Sequence, residues 1–288
     1  MPRETLAAGV AATTSSYEGA CRDAHVNQGG VAVNIAVAVR LMPNLGDELE
    51  VDPGGADIDR EFVDMVINEF DDQALEEAVL IKEATGATVT VVGLQAEGIE
   101  QALQVAFARG ADRVVVVDTG EIDPYDSRTA ALAFAQAFRQ LAPDLVLIGV
   151  QTPQDVFGQT APYLAVDLGW PQANVVASVT LVDGAARVVQ EYAGGRQAVM
   201  DLALPAIVGV QSASSPPRYV SMSRLRQAMS EATTETLEVS VEAPTGAPRL
   251  VSLARPEPTI GATMLEGDAG EVAAQIVAVL RERGVLAS

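Results

Sequence analysis

Three residue types that build most self-contained catalytic centres are nearly missing from this chain of 288 residues. It has one cysteine, Cys21, one histidine, His25, and a single lysine, Lys82. A lone cysteine closes no internal disulfide and builds no cysteine metal cage. A lone histidine inside the first 30 residues leaves neither a Ser-His-Asp triad nor a histidine metal site for the rest of the chain. The phosphate signatures G-x-x-x-x-G-K-[ST] and G-x-G-x-x-G are absent, as is a pyrophosphatase-type S-G-G-x-D-S loop. No apolar run is long enough to span a bilayer, since the stretch Val31 to Val39 is short and broken by Asn34. Basic charge is scarce as well: 18 basic against 39 acidic side chains give a net charge of −21. That argues against nucleic acid or an anionic membrane as partner. The acidity reads either as a face that steers a basic partner or, more plainly, as the lysine-poor surface of a protein from a high-salt, high-GC organism.

What is present points to a globular chain, 49% apolar and long enough to bury a full core. Residues 1–30 are rich in Ala, Thr, Ser and Gly and carry Glu4, Glu18 and Asp23, unlike a signal or transit peptide. They are expected to form a disordered or loosely attached extension, and the protein is expected in the cytoplasm. Val31 to Val39, Thr88 to Leu94, Arg113 to Val117 and Leu145 to Ile148 read as buried strands. Between them lie helical stripes: Phe70, Ala74, Leu75, Ala78 and Ile81; Ile99, Ala102, Leu103, Ala106 and Phe107; Ala131, Phe134, Ala135, Phe138 and Leu141. This alternation predicts an α/β fold with a doubly wound, mostly parallel sheet over residues 31–230.

After Trp170 the rhythm changes. Val175 to Leu181, Arg187 to Tyr192 and Gln197 to Leu202 are β segments punctuated by Asp183-Gly184 and Gly194-Gly195, and Ala206 to Val210 reads as a last core strand. They predict an antiparallel hairpin at the sheet edge. Met222 to Met229 is read as a short helix. Glu231 to Pro258 is polar and aperiodic, and Val272, Ile276, Val279 and Leu280 mark a final amphipathic helix ending at Gly284. Residues 231–288 are therefore expected to be an arm and helix that pack on a partner.

The segment Pro143 to Gln172, PDLVLIGVQTPQDVFGQTAPYLAVDLGWPQ, concentrates the functional signal. A continuous apolar strand runs into a polar loop, Gln151 to Phe157. Gly158-Gln159-Thr160 then opens a helix marked by Ala161, Leu164, Ala165 and Leu168. Free amides and the helix dipole make such a junction an anion site. Gly158 would let a phosphate approach, with the Gln159 and Thr160 amides and the Thr160 hydroxyl as donors; the plain alternative for Gly158 and Thr160 is helix capping. The tips of the strands, Val37 to Val39, Val92 to Leu94 and Leu147 to Gly149, should meet at this crevice.

This segment, with its closing GWPQ, resembles the adenine-nucleotide loop of electron transfer flavoprotein β subunits. NEFDDQALEEAVLIKE from Asn68 to Glu83, GADR from Gly110, and PAIVGV through PPRY between Pro205 and Tyr219 resemble that family in the same order. The resemblance covers roughly residues 31 to 288. It implies an adenine nucleotide alpha hydrolase-like fold and half of a heterodimer whose α subunit holds FAD. It also implies electrons passing from flavin dehydrogenases, such as acyl-CoA dehydrogenases of fatty acid oxidation, to a membrane quinone oxidoreductase. The β subunit would be an electron-carrier subunit, not an enzyme, holding AMP structurally, or a second redox-active FAD in bifurcating members. The matched nucleotide positions are Ala38, Asn68, Phe70, Asp71, Leu94, Gly149, Gln151, Asp155, Gly158, Gln159 and Thr160. Asn68 and Asp71 read equally as helix caps, and Phe70 as a core or interface residue.

Asp126-Ser127 stands where bifurcating members contact the second flavin, although an ordinary helix cap explains it too. Gln211, Ser212, Ser214 and Ser215 occupy the dehydrogenase-recognition loop, with no leucine to insert into a partner's pocket. Glu69 replaces a family proline, and Gln95-Ala96 a family Gly-Pro. A stand-alone nucleotide sensor of the universal-stress type shares the open sheet and is the alternative from another class.

Overall fold

Central strands buried on both faces fix the architecture. The computed structural model describes residues 32–286 except 56, 62, 121, 124, 156, 243, 247–249 and 258–260. The expected extension at 1–30, with Cys21 and His25, and the first strand residue Val31 lie outside the described residues.

In chain order the elements are β1 (Asn34–Val39), β2 (Leu41–Pro43), β3 (Met65–Ile67), α1 (Glu69–Thr85), β4 (Thr88–Leu94), α2 (Ile99–Arg109), β5 (Arg113–Asp118) and α3 (Ser127–Leu141). Then follow β6 (Leu145–Gly149), α4 (Thr160–Leu168), β7 (Gln172–Val182), β8 (Ala185–Tyr192), β9 (Arg196–Ala203), β10 (Ala206–Val210), α5 (Met222–Glu231), β11 (Thr234–Glu238) and α6 (Ala269–Glu282). Nine strands form one sheet in the order β11-β5-β4-β1-β6-β10-β7-β8-β9. From β11 to β7 all neighbours are parallel, while β8 and β9 extend the edge antiparallel, as the glycine-punctuated hairpins predict.

Residues of β1 alternate between two cores. Ile35, Val37 and Val39 pack with Leu75 and Ala78 of α1 and Leu103 of α2, whereas Ala36 and Ala38 face Phe134 and Phe138 of α3 and Leu164 of α4. Helices therefore cover both faces, and a strand between them carries apolar residues at every position. The chain runs outward from β1 through β4 to β5, then returns through α3 to place β6 on the other side of β1. The strand order thus reverses between β1 and β6, and their C-terminal ends, Val39 and Gly149, flank the crevice where open α/β sheets take ligands.

Two features depart from the sequence reading. The antiparallel ribbon of β2 and β3 is too short to show a period. The supposed arm contains β11, which joins the main sheet beside β5 and is clipped there by a bidentate Arg113–Glu235 ion pair. Five residues on an edge, with Glu235, Thr236 and Glu238 exposed, carry no burial signal.

Two compact units are distinguished by their internal contacts. Among the described residues, those up to Leu49 together with Asp59–Val251 make up one; Glu50–Ile58 with those from Ser252 onward make up the other. Within the second, Leu253 donates its amide to the Gly55 carbonyl at 2.8 Å. Its helix α6 opens on a capping box, Asp268 accepting from the Glu271 amide at 3.0 Å while Glu271 accepts from the Asp268 amide at 3.0 Å. No helix of the described residues is long and apolar enough to cross a membrane.

Candidate functional site at the β1 and β6 strand tips

At the reversal point the ends of β1 and β6 are stitched together by a carboxylate. Asp71, in the first turn of α1 and fully buried, accepts the Gly149 amide at 2.8 Å on Oδ1 and the Arg40 amide at 2.8 Å on Oδ2. The Arg40 guanidinium closes the same carboxylate from the side, with Nη2 to Oδ1 at 2.7 Å and Nε to Oδ2 at 3.1 Å. It then reaches the Gly149 carbonyl at 2.8 Å, the Thr160 hydroxyl at 3.3 Å and the Asp155 carboxylate at 3.6 Å. The planar fork of arginine suits this bidentate task. Arg40 escaped the sequence reading; its one signal was a basic residue directly past the first strand tip in a chain poor in basic charge.

α1 approaches β6 closely enough to demand glycine. A Cβ on Gly149 would lie 2.5 Å from the Asp71 amide nitrogen and 2.5 Å from the Phe70 carbonyl carbon. Asn68, at the N-cap of α1, does not cap it with its side chain; its Nδ2 donates to the Gln151 carbonyl at 2.9 Å and holds the start of the loop. Capping, the plain alternative for Asn68 and Asp71, is therefore not their role here.

The loop after β6 folds around Asp155. Its amide donates to the Thr152 hydroxyl at 2.9 Å, and its carboxylate accepts the Gln159 amide at 3.1 Å, the Thr160 amide at 3.1 Å and the Thr160 hydroxyl at 2.8 Å. These are the donors the sequence reading gave to a phosphate. Here a carboxylate of the loop itself takes them and caps α4, which corrects that donor assignment. Gly158 has φ +60°, and a Cβ there would sit 2.8 Å from the Val150 carbonyl oxygen, so the loop's own turn requires glycine. Replacing Gly158 by valine is expected to destabilise the loop by about 2 kcal/mol through left-handed strain and that clash, and to lower nucleotide retention. Ligand content of purified protein checks it, and unchanged content with the variant folded would contradict it.

The remaining predicted residues divide by exposure. Ala38 is wholly buried in the core beneath α3 and α4, so it presents no surface to a ligand. Gln151 and Gln159 are exposed, while Phe70, Leu94 and Gly158 are half-buried. Gln151 and Gln159 carry neutral amides, Phe70 and Leu94 are aromatic and apolar, and the Arg40 guanidinium stands beside the Thr160 hydroxyl at the α4 N-terminus, side chains whose chemistry suits hydroxyls, an apolar face and an anion respectively. An anion arriving at α4 would share that terminus with Asp155, and Arg40 is the cation already paired there.

Asp126 is the N-cap of α3, accepting the Arg128 amide at 3.0 Å and the Thr129 amide at 3.1 Å, with the Thr129 hydroxyl also on its carboxylate. Ser127 is buried in the first turn. Both behave as helix-start residues.

Further along α1 the segment 211–218 is pinned by the Val176 carbonyl and by α1 side chains. Gln211 and Ser212 give their amides to the Val176 carbonyl at 2.8 and 3.4 Å. Ala213 donates its amide to Gln73 at 2.9 Å, and Ser214 donates its amide at 2.7 Å and its hydroxyl at 3.0 Å to Glu77. Arg218 gives its amide and guanidinium to Glu76 and pairs with Glu83, which together raise its pKa, the Glu83 hydrogen bond most. Burial pushes the Glu77 carboxyl up against these hydrogen bonds, and likewise raises Asp72 despite its pairing with Arg109. A cavity of about 500 Å³ lies apart, lined by Arg60, Met65, Ile67, Glu97, Gln101 and Arg109 among others, and none of the predicted site residues borders it.

With this geometry established, likeness to known proteins is informative. The family described as "Electron transfer flavoprotein domain" matches residues 57–244. "Electron transfer flavoprotein subunit beta" of Methylophilus methylotrophus is 32% identical over 260 residues, covering 87% of this chain and 98% of the relative. "Electron transfer flavoprotein subunit beta, mitochondrial" of Oryza sativa subsp. indica is 34% identical over 220 residues, covering 73% and 85%. The corresponding subunit of Syntrophomonas wolfei is 31% identical over 193 residues, covering 66% and 75%.

Proposed function

Because this chain belongs to the electron transfer flavoprotein β-subunit family, we propose that it is the smaller half of a heterodimeric electron carrier and holds AMP at the β1 and β6 strand tips. Its function is that of a carrier subunit, not an enzyme. The α subunit would hold most of the FAD, which supplies the redox chemistry when bound, taking electrons from flavin dehydrogenases and passing them to a membrane quinone oxidoreductase. The cytoplasm is the proposed site of action.

The observation that carries this reading is the Arg40–Asp71–Asp155 network, which fixes Gly149 and the α4 N-terminus into one frame, with Asn68 holding Gln151 beside it. Such preorganisation suits a structural nucleotide that must stay bound. Phe70 and Leu94 are the side chains for its apolar face, Gln151 and Gln159 for its hydroxyls and ring edges, and Arg40 for the charge at its phosphate end. Asp126 spends its carboxylate on capping α3, which favours this one-nucleotide reading over a second, redox-active FAD.

α6 supports the heterodimer. Ile276 is 45% exposed and Val279 41% exposed on a helix with no buried residue, and we assign this stripe to the α subunit. Replacing both by glutamate is expected to weaken pairing at least tenfold, because roughly 1.5–3 kcal/mol is lost for each large apolar side chain that should have been buried. Co-expression with the α subunit, followed by size-exclusion chromatography at falling concentration, reads the effect. Undiminished pairing would remove α6 from the interface.

A further inference from the structure

Four donors converge where β6 leads into α4: the Gln159 amide, the Thr160 amide, the Thr160 hydroxyl and Nη1 of Arg40. The first three donate to one carboxylate, Asp155, at 3.1, 3.1 and 2.8 Å, and the fourth stands 3.6 Å from it. Two amides at a helix start, a hydroxyl and a guanidinium are the donor set that an oxyanion calls for. The chain meets that demand with an oxyanion of its own. Asp155 is 5% exposed, so its carboxylate is committed to these partners and not to solvent.

That carboxylate can leave without the loop unfolding. Among the described residues its partners are Gln159, Thr160 and Arg40. The backbone of Asp155 is held separately, its amide donating to the Thr152 hydroxyl at 2.9 Å and its carbonyl accepting the Gly158 amide at 3.0 Å. Rotation about the Cα–Cβ bond therefore frees the donors together and leaves the turn standing. The junction lies at the surface: Gln159 is exposed, and Phe157 is 78% exposed.

Charge decides how much an incoming anion gains. Arg40 lies between two carboxylates, Asp71 at 2.7 Å and Asp155 at 3.6 Å, which leaves these three groups with one negative charge in excess. A further anion brought to them is repelled. Each hydrogen bond it takes from Gln159 or Thr160 is also one that Asp155 gives up. We infer that Asp155 is a built-in competitor for the phosphate of the bound nucleotide: it caps α4 when no phosphate is present and yields its donors when one arrives. It is thereby the residue that sets how strongly the site distinguishes a nucleotide from the nucleoside lacking its phosphate. This rests on the AMP reading above and deepens it, because it makes the phosphate a minor source of affinity and the nucleoside the major one.

The test compares the unaltered αβ heterodimer with one carrying Asp155→Asn. Asparagine caps helices about as well as aspartate and carries no charge. Equilibrium dialysis against labelled AMP gives its Kd, and displacement of the label by unlabelled AMP or adenosine gives the preference for the nucleotide. The unaltered protein is expected to prefer AMP to adenosine by less than about tenfold, a difference of less than about 1.4 kcal/mol. Asp155→Asn is expected to bind AMP about tenfold more tightly, and to raise the preference by about the same factor. Three results overturn the inference: a preference above about tenfold in the unaltered protein, AMP binding by the variant that is unchanged or weaker, or an equal gain for AMP and adenosine. The last would make Asp155 a restraint on the shape of the loop and not a rival of the phosphate. If Asp155→Asn fails to fold, Asp155→Ser, which also caps helices, is read in the same way. If neither AMP nor adenosine binds the unaltered heterodimer, the AMP reading fails and the competitor with it; if both bind and the variant leaves their ratio unchanged, the competitor alone fails.

Discussion

Gly149→Ala is expected to cost at least about 3 kcal/mol of stability and to empty the nucleotide site. The added methyl would lie 2.5 Å from the backbone of Phe70 and Asp71, where no side-chain rotation relieves it. Overpacking alone costs about 1–3 kcal/mol. Here the only escape moves the first turn of α1 away from β6, and that breaks the hydrogen bond from the Gly149 amide to Asp71. A charge-assisted bond of that kind is worth about 1.5–3 kcal/mol. The same displacement pulls Asn68 from the Gln151 carbonyl, so the loop loses its first anchor. The denaturation midpoint and bound ligand should fall together. A folded Gly149→Ala variant retaining full ligand would show that α1 and β6 do not meet as described.

The second large effect is expected at Arg40. Arg40→Met keeps the length of the apolar stem but leaves the carboxylates of Asp71 and Asp155 without their cation, at 0% and 5% side-chain exposure. Removing one partner of a buried ion pair costs about 3–5 kcal/mol, because the charge left behind is neither solvated nor paired. Arg40→Lys retains charge but not the fork that binds Asp71 on both oxygens while reaching Gly149 and Thr160, so it should recover less than half of the loss. Equilibrium unfolding of the three proteins orders them Arg, Lys, Met. Equal stability of the Lys and wild-type proteins would mean that charge alone matters.

Much of the fold is legible because it is written in local pattern. Parallel strands buried on both faces show as apolar runs, and α1 to α4 show as stripes ended by Gly86, Gly110 and Gly169, or at Ala142 just before Pro143. The strand tip of β6 and the start of α4 were legible for the same reason, since the two are adjacent in sequence. What stayed hidden depends on which groups meet after folding, near in sequence or far. That Asp71 joins two strand ends, or that Asp155 claims the Gln159 and Thr160 amides, follows from which groups meet after folding. A helix-start aspartate reads as a cap whether it caps its own helix, as Asp126 does, or binds a strand 78 residues away, as Asp71 does. β11 was missed because an edge strand with exposed Thr and Glu looks like polar linker.

The most direct test of the account releases and identifies what the native heterodimer carries. Protein co-purified with its α subunit is denatured, and the freed cofactors are separated by chromatography and quantified by absorbance. One FAD and one AMP per heterodimer is the predicted result. Two FAD and no AMP, or no adenine nucleotide beyond the single FAD, would contradict the assignment of AMP to the β1 and β6 strand tips.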